Sequence, residues 1–318
     1  MKKGISYVVA VDYSEPSAAA LQEAARLAAG AGAHLTVVHA VLDEELAFAV
    51  RSTGLSAPEI LTGRRLRLDR FCLDTLGTRT IPSLRLEVLE GHPFSAILRQ
   101  VEMERAALLV LGARGESHHQ SGNLGTLASS CVRHAPCETL LVRSSLTDGF
   151  QTIVVAIDFS DQSRLALRRA AEIARTDGSQ IHLLHVYAPA WKHSAIHGGA
   201  LHVEPAEERA YLTRMQQRLT DFMLEELPAL SGQAAKISTR ECFSRASGIV
   251  DYLVEVNADL VILGGKPHRQ SDLGNLGVTA EYMIHDSPCS VLTVRPEASA
   301  IHLVPKATTS KKTPRFAG

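Results

Sequence analysis

Four residues in the first half of the chain stand at a spacing suited to holding a phosphate. They are Gly112, Gly115, Gly125 and Thr126, in the stretch LVLGARGESHHQSGNLGTLASS at 109–130. An apolar run stops at Gly112, and Gly125-Thr126 leads into a stretch with helical character. Glycines at a strand exit let backbone N–H groups come close to a ligand. The start of a helix adds unpaired N–H donors and a partial positive charge, and Thr126 adds a hydroxyl. The pattern is not a Walker A loop, since no Gly-Lys-Ser/Thr occurs anywhere in the chain. Nor is it a dinucleotide fingerprint, because the turn after the first strand carries Asp12 where that motif needs glycines.

The elements that must position these residues alternate in type. Strands are expected near 6–11, 34–40, 84–89, 107–111 and 139–142, as short apolar runs without alternation. Helices are expected near 15–30, 58–77, 94–104 and 126–133. The first helix has Ser14 to cap it, Pro16 in its first turn and Gly30 and Gly32 past its end. The pattern then recurs. YVVAVDYSEPSAAAL at 7–21 returns as IVVAIDFSDQSRLAL at 153–167, which places Asp158 over Asp12 and His185 over His39. LLVLGARG at 108–115 returns as LVILGGKP at 260–267, and HAPCETLLVR at 134–143 as HDSPCSVLTVR at 285–295. Two copies of one α/β unit are therefore expected, at 1–146 and 151–296, joined by the polar SSLTDGF segment. Each should be a five-stranded parallel sheet with helices on both faces and right-handed crossovers. Ligands in such sheets lie outside the carboxyl ends of the strands, where the strand order reverses.

Composition narrows the function classes. Charged residues make up 21% and apolar residues 45% of 318, with a formal net charge of -1. Nothing in that balance points to nucleic acid, and no apolar run is long enough to span a membrane. The N-terminal apolar run is strand-length and meets Asp12 at once, so no secretory signal is expected. Five cysteines without CxxC spacing read as reduced thiols of a cytoplasmic protein. The segment 297–318 is poor in apolar residues and is expected to be disordered.

The spacing Gly112-x2-Gly115-x9-Gly125-Thr126, with Asp12 closing the first strand, resembles the ATP-binding motif of the universal stress protein family. The likeness covers both copies, about residues 3–295, as in a tandem member. It implies a flavodoxin/Rossmann-like fold, with the flavodoxin-like strand order, and ATP or ADP with Mg²⁺ in the crevice. By that resemblance, Ala10, Val11, Asp12 and Ala40 would meet the adenine or ribose. Gly112, Arg114 and Gly115 would line the phosphates, and Gly125, Thr126, Leu127 and Ala128 would hold them. The residues also admit plainer roles: Gly112 and Gly115 as a tight strand exit, Asp12 as a loop anchor, His39 and His185 as satisfied core histidines.

In the second copy Gly264 and Gly277 keep their places, but Pro267 replaces the second glycine and Val278 the threonine. Proline removes an N–H and valine the hydroxyl, so this site reads as degenerate, structural or built for another ligand. His193, His197 and His202 are the nearest approach to a metal-ligand set, though glycines and prolines around them favour a polar loop, and no metal is expected. No nucleophile–base pair can be placed at the crevice. A stress-response nucleotide-binding regulator is the first reading. A slow ATPase or phosphoryl- or adenylyl-transfer enzyme using Glu116, His118 or His119 is the second, and a nucleotide-independent scaffold the third. The strands at 138–143 and 289–295 are expected to end their sheets as edges that pair with each other, giving an internal pseudo-dimer. A further homodimer and any protein partner are left open.

Overall fold

The computed structural model describes residues 4–77, 81, 83–113, 125–143, 149–188, 204–226, 235–265 and 276–296. The first half runs β1 (Ser6–Ala10), α1 (Glu15–Ala31), β2 (His34–Val41), α2 (Asp43–Thr53), α3 (Ala57–Leu76), β3 (Leu84–Glu90), α4 (Pro93–Glu104), β4 (Leu108–Gly112), α5 (Thr126–His134) and β5 (Glu138–Val142). The second runs β6 (Thr152–Ala156), α6 (Asp161–Asp177), β7 (Gln180–Tyr187), α7 (Pro205–Glu226), β8 (Ala235–Glu241), α8 (Arg245–Glu255), β9 (Leu260–Gly264), α9 (Val278–Asp286) and β10 (Ser290–Val294). The expected elements are all present. The addition is α2, which buries only Leu46 and starts without a side-chain cap, so neither apolar periodicity nor capping marks it in the sequence.

Within each half the strands are parallel, in the order β3-β2-β1-β4-β5 and β8-β7-β6-β9-β10. This is the Rossmann-type 3-2-1-4-5 order and corrects the flavodoxin-like 2-1-3-4-5 order implied by the resemblance. The central strands are buried on both faces, which is why their sequences read as unbroken apolar runs. One face is packed by α1, α3, α6 and α7 through residues such as Ala20, Leu68, Leu167 and Leu219. The other is packed by α4, α5, α8 and α9 through Ile97, Val132, Ile249 and Ile284. Both cores run unbroken through the two halves.

The halves meet through β5 and β10, which pair antiparallel with Leu140 opposite Leu292 and make one ten-stranded sheet. An edge strand exposes unpaired N–H and C=O groups, and here each half covers the other's. The seam is polar as well as apolar. The Arg143 guanidinium donates to the Ile284 and His285 carbonyls, and its counterpart Arg295 donates to those of Val132 and Arg133. Each arginine thus satisfies carbonyls at the end of the opposite half's helix, where a cation is also favoured by the helix dipole. On the other face Arg169 of α6 lies 3.0 Å from Glu138 of β5, with the side chains 8% and 1% exposed. Arg26 of α1 pairs with Asp177 of α6.

Candidate functional site

The strand order reverses between β1 and β4, and a crevice opens there at their carboxyl ends. It holds about 170 Å³ and is lined by Ala10, Val11, Asp12, Val38, His39, Ala40, Leu111, Gly112 and the first turn of α5, Gly125 to Ala128. Nine of the eleven residues singled out from sequence are thereby brought to one place. The other two, Arg114 and Gly115, lie outside the described residues, as do Glu116, His118 and His119. Sequence reasoning missed Pro93 and Ile97, which also line the crevice. They belong to α4, whose crossover from β3 to β4 packs across β2 and β1 and carries its first turn over the crevice. Their only sequence signal is their place just after the third strand.

The loop after β1 is set by Asp12. Its carboxylate accepts from the Ser14 backbone N–H at 3.1 Å and from the Ser14 hydroxyl, while Ser14 in turn caps α1 by accepting from the Ser17 N–H. Asp158, Ser160 and Ser163 repeat the arrangement. Asp12 is therefore both a loop anchor and a crevice residue. The intervening Tyr13 and Phe159 have φ of 68° and 65°, a left-handed conformation that costs a bulky residue about 1–3 kcal/mol. Aromatic contacts hold them in it. Tyr13 packs against His39 with the rings tilted and their centroids 4.4 Å apart, and it lies beneath the Arg67 guanidinium at 4.1 Å. Phe159 does the same with His185 at 4.9 Å and Arg218 at 3.9 Å.

His39 and His185 are bound across strands, Nδ1 lying 2.9 Å from the Val11 carbonyl and 2.7 Å from that of Ile157. Burial pulls both below the ordinary histidine range, against the opposing pull of those carbonyls, and the nearby arginines act in the same direction as burial. Each ring is held neutral with Nδ1 as the donor. This is a structural role, as the plainer reading of the sequence has it.

Gly112 is explained by the fold. A Cβ there would sit 2.8 Å from the carbonyl carbon of Pro16 and 2.9 Å from its oxygen, and one at Gly264 would meet Gln162 as closely. The glycine lets the end of β4 pass under the first turn of α1. Gly125 is likewise engaged internally, its N–H donating to the Ala113 carbonyl at 3.1 Å. The remaining donors are those of the first turn of α5, which begins without a side-chain cap at residues 126–128. Thr126 is exposed beside them, and Leu127 is half-buried.

The second half opens an equivalent but larger crevice of about 550 Å³ between β6 and β9, lined by Asp158, His185, Arg245, Gly264, Gly277, Val278 and Thr279 among others. Gly277 has φ 90° where Gly125 has -62°. Val278 is 85% exposed at the start of α9, in the place Thr126 takes in α5. Pro267 lies outside the described residues, as do His193, His197 and His202. Among the described residues no three metal-ligating side chains come together, and no helix is long and apolar enough to cross a membrane.

The profile of the universal stress protein family matches the chain twice, at residues 7–143 and 149–295. The chain belongs to the universal stress protein family. It is a tandem member, each half carrying one copy of the domain. A Thermus aquaticus universal stress protein encoded 3' of the QAH/OAS sulfhydrylase is 32% identical over 139 residues, which is 43% of this chain and 96% of that protein. Universal stress protein A of Photorhabdus laumondii is 27% identical over 149 residues, 46% of this chain and 94% of that protein. Over nearly the whole length, the fold is shared with a universal stress protein from Archaeoglobus fulgidus, at 18% identity and a TM-score of 0.58, covering 93% of this chain and 99% of that one. A functionally unknown protein from Pseudomonas aeruginosa PAO1 shares it at 15% identity and a TM-score of 0.62, covering 94% and 96%.

Proposed function

We propose that this universal stress protein is an adenine-nucleotide-binding regulator, with ATP or ADP held by the first half together with Mg²⁺. The observation that carries the reading is the uncapped first turn of α5 beside Thr126, facing Asp12, Val11 and Ala40 across one crevice. Backbone donors and a helix dipole suit a phosphate, and the apolar walls of Val38, Ile97 and Leu111 suit a base. At about 170 Å³ the cavity takes a base or sugar, with the phosphates at its mouth by Thr126. The Mg²⁺ would travel with the phosphates, since no cluster of carboxylates gathers among the described residues.

The residues at hand bind and do not activate. Asp12 is engaged with its own loop and stands at the nucleoside end, and His39 is tied to Val11. A fast ATPase needs a positioned water and anchored charge at the γ-phosphate. Nucleotide occupancy of the first half would instead bias a conformation or a partner surface. The second half, with Val278 at the helix start and Gly277 at positive φ, does not hold ATP. The test is to denature protein purified in native form and identify the small molecules released. Adenine nucleotide at about one per chain supports the reading. Its absence, together with no uptake of added ATP or ADP, overturns it in favour of a nucleotide-independent scaffold.

A further inference from the structure

Pro93 begins α4 and lines the first crevice. At the same place in the second half stands Arg245, which begins α8 and lines the second crevice. A cation in the first turn of a helix opposes the helix dipole, so the fold gains nothing from the charge there. Among the described residues Arg245 has no ion-pair partner. One other change is apolar, against walls that are apolar in both halves. Val278 replaces a hydroxyl at the start of α9 and stands 85% exposed at the crevice, where it offers apolar surface in place of a hydrogen-bonding group. Leu184, Val186, Ile249, Leu263 and Leu276 line the same cavity, which is about three times the size of the first. The site has thus lost a phosphate contact at the helix start while gaining a cation on its wall, apolar surface at its mouth, and volume.

We propose that the second crevice binds a small amphiphilic organic anion, its acid group paired with Arg245 and its apolar body laid over Val278 and the leucine and valine walls. Asp158, at the end of β6, would repel an acid group placed beside it and so confines the acid to the Arg245 wall. The about 550 Å³ available lies within the range of small-molecule sites. The inference does not depend on nucleotide binding in the first half.

The experiment uses the full chain and 8-anilinonaphthalene-1-sulfonate, a probe with one sulfonate and an aromatic body, followed by fluorescence titration. Saturable binding at about one probe per chain is expected, weakened about tenfold to a hundredfold by Arg245→Gln, the loss of one charged hydrogen-bonding partner, and less by Arg245→Lys. Val278→Ser should weaken it several-fold, and circular dichroism establishes that each variant is folded. Inorganic phosphate should not compete, because the apolar body supplies part of the affinity. Decanoate and naphthalene-2-sulfonate then separate an alkyl from an aromatic body, and competition by either supports the assignment. Saturating ATP should leave the probe in place. Displacement of the probe by ATP, unchanged affinity in Arg245→Gln, or binding that never saturates would each overturn the proposal. Failure of ATP to bind at all leaves the probe result standing, so the two readings fail separately.

Discussion

Replacing Arg169 with methionine should be among the most damaging single changes at the seam. The guanidinium lies 3.0 Å from the Glu138 carboxylate, 3.4 Å from the Tyr7 hydroxyl and 2.8 Å from Glu172, with its own side chain only 8% exposed. Glu172 is one-third exposed and stays solvated when the arginine goes. Glu138 is 1% exposed, and burial already pushes its carboxyl up to about 7, with Arg169 opposing that push. Removing one partner of a buried pair costs about 3–5 kcal/mol, because the carboxyl left behind loses its partner out of reach of water and must stay charged there or take up a proton. Replacing both with apolar groups of similar volume is often nearly neutral. Arg169→Met should therefore lose about 3–5 kcal/mol in urea denaturation followed by circular dichroism, and Arg169→Met with Glu138→Leu should recover most of it. A loss under about 1 kcal/mol in the single variant, or a double variant no more stable than the single, would contradict a desolvation cost at Glu138.

Gly112→Ala and Gly264→Ala should each destabilise the protein by about 1–3 kcal/mol with no ligand present, through overpacking against Pro16 and Gln162; undisturbed melting of either variant would return these glycines to a purely ligand-binding role. Because His39 and His185 are held below the ordinary histidine range, the unfolded chain takes up protons first on acidification. Glu138, raised to about 7, titrates with the opposite sign in the same window, so the test belongs in the Arg169→Met, Glu138→Leu background. There stability should be full above the ordinary value near 6.5 and fall as pH drops below it, and a melting temperature that rises from pH 7 to pH 5.5 would contradict the neutral rings. Any ATP hydrolysis should stay far below about 1 per second. Rapid phosphate release, abolished by Glu116→Gln, His118→Ala or His119→Ala, would make the protein an enzyme.

Much of this architecture is legible in the sequence because its logic is local. Apolar runs mark the central strands, such as β1, β4, β6 and β9, and Ser14 and Ser160 announce α1 and α6 by capping them. The repeat itself places Asp12 over Asp158. What could not be read is what depends on two distant segments at once. The need for Gly112 lies in the Pro16 backbone, and the meaning of Glu138 lies in Arg169, whose own counterpart in the first half is the oppositely charged Glu23. Pro93 and Arg245 reach the crevices only through crossover helices, so nothing local marks them as crevice residues, although they stand at the same place in the repeat. The helix α2 escaped notice because one buried leucine leaves no periodicity to see.

Isothermal titration of the full chain with ATP and Mg²⁺, repeated with Leu127→Asp in α5 and Thr279→Asp in α9, decides whether the first half alone holds nucleotide. A carboxylate placed at a helix start should repel the phosphates only where phosphates bind. The expected result is about one nucleotide per chain, lost in Leu127→Asp and retained in Thr279→Asp. Two equivalent sites, or binding that survives Leu127→Asp and vanishes in Thr279→Asp, would contradict it.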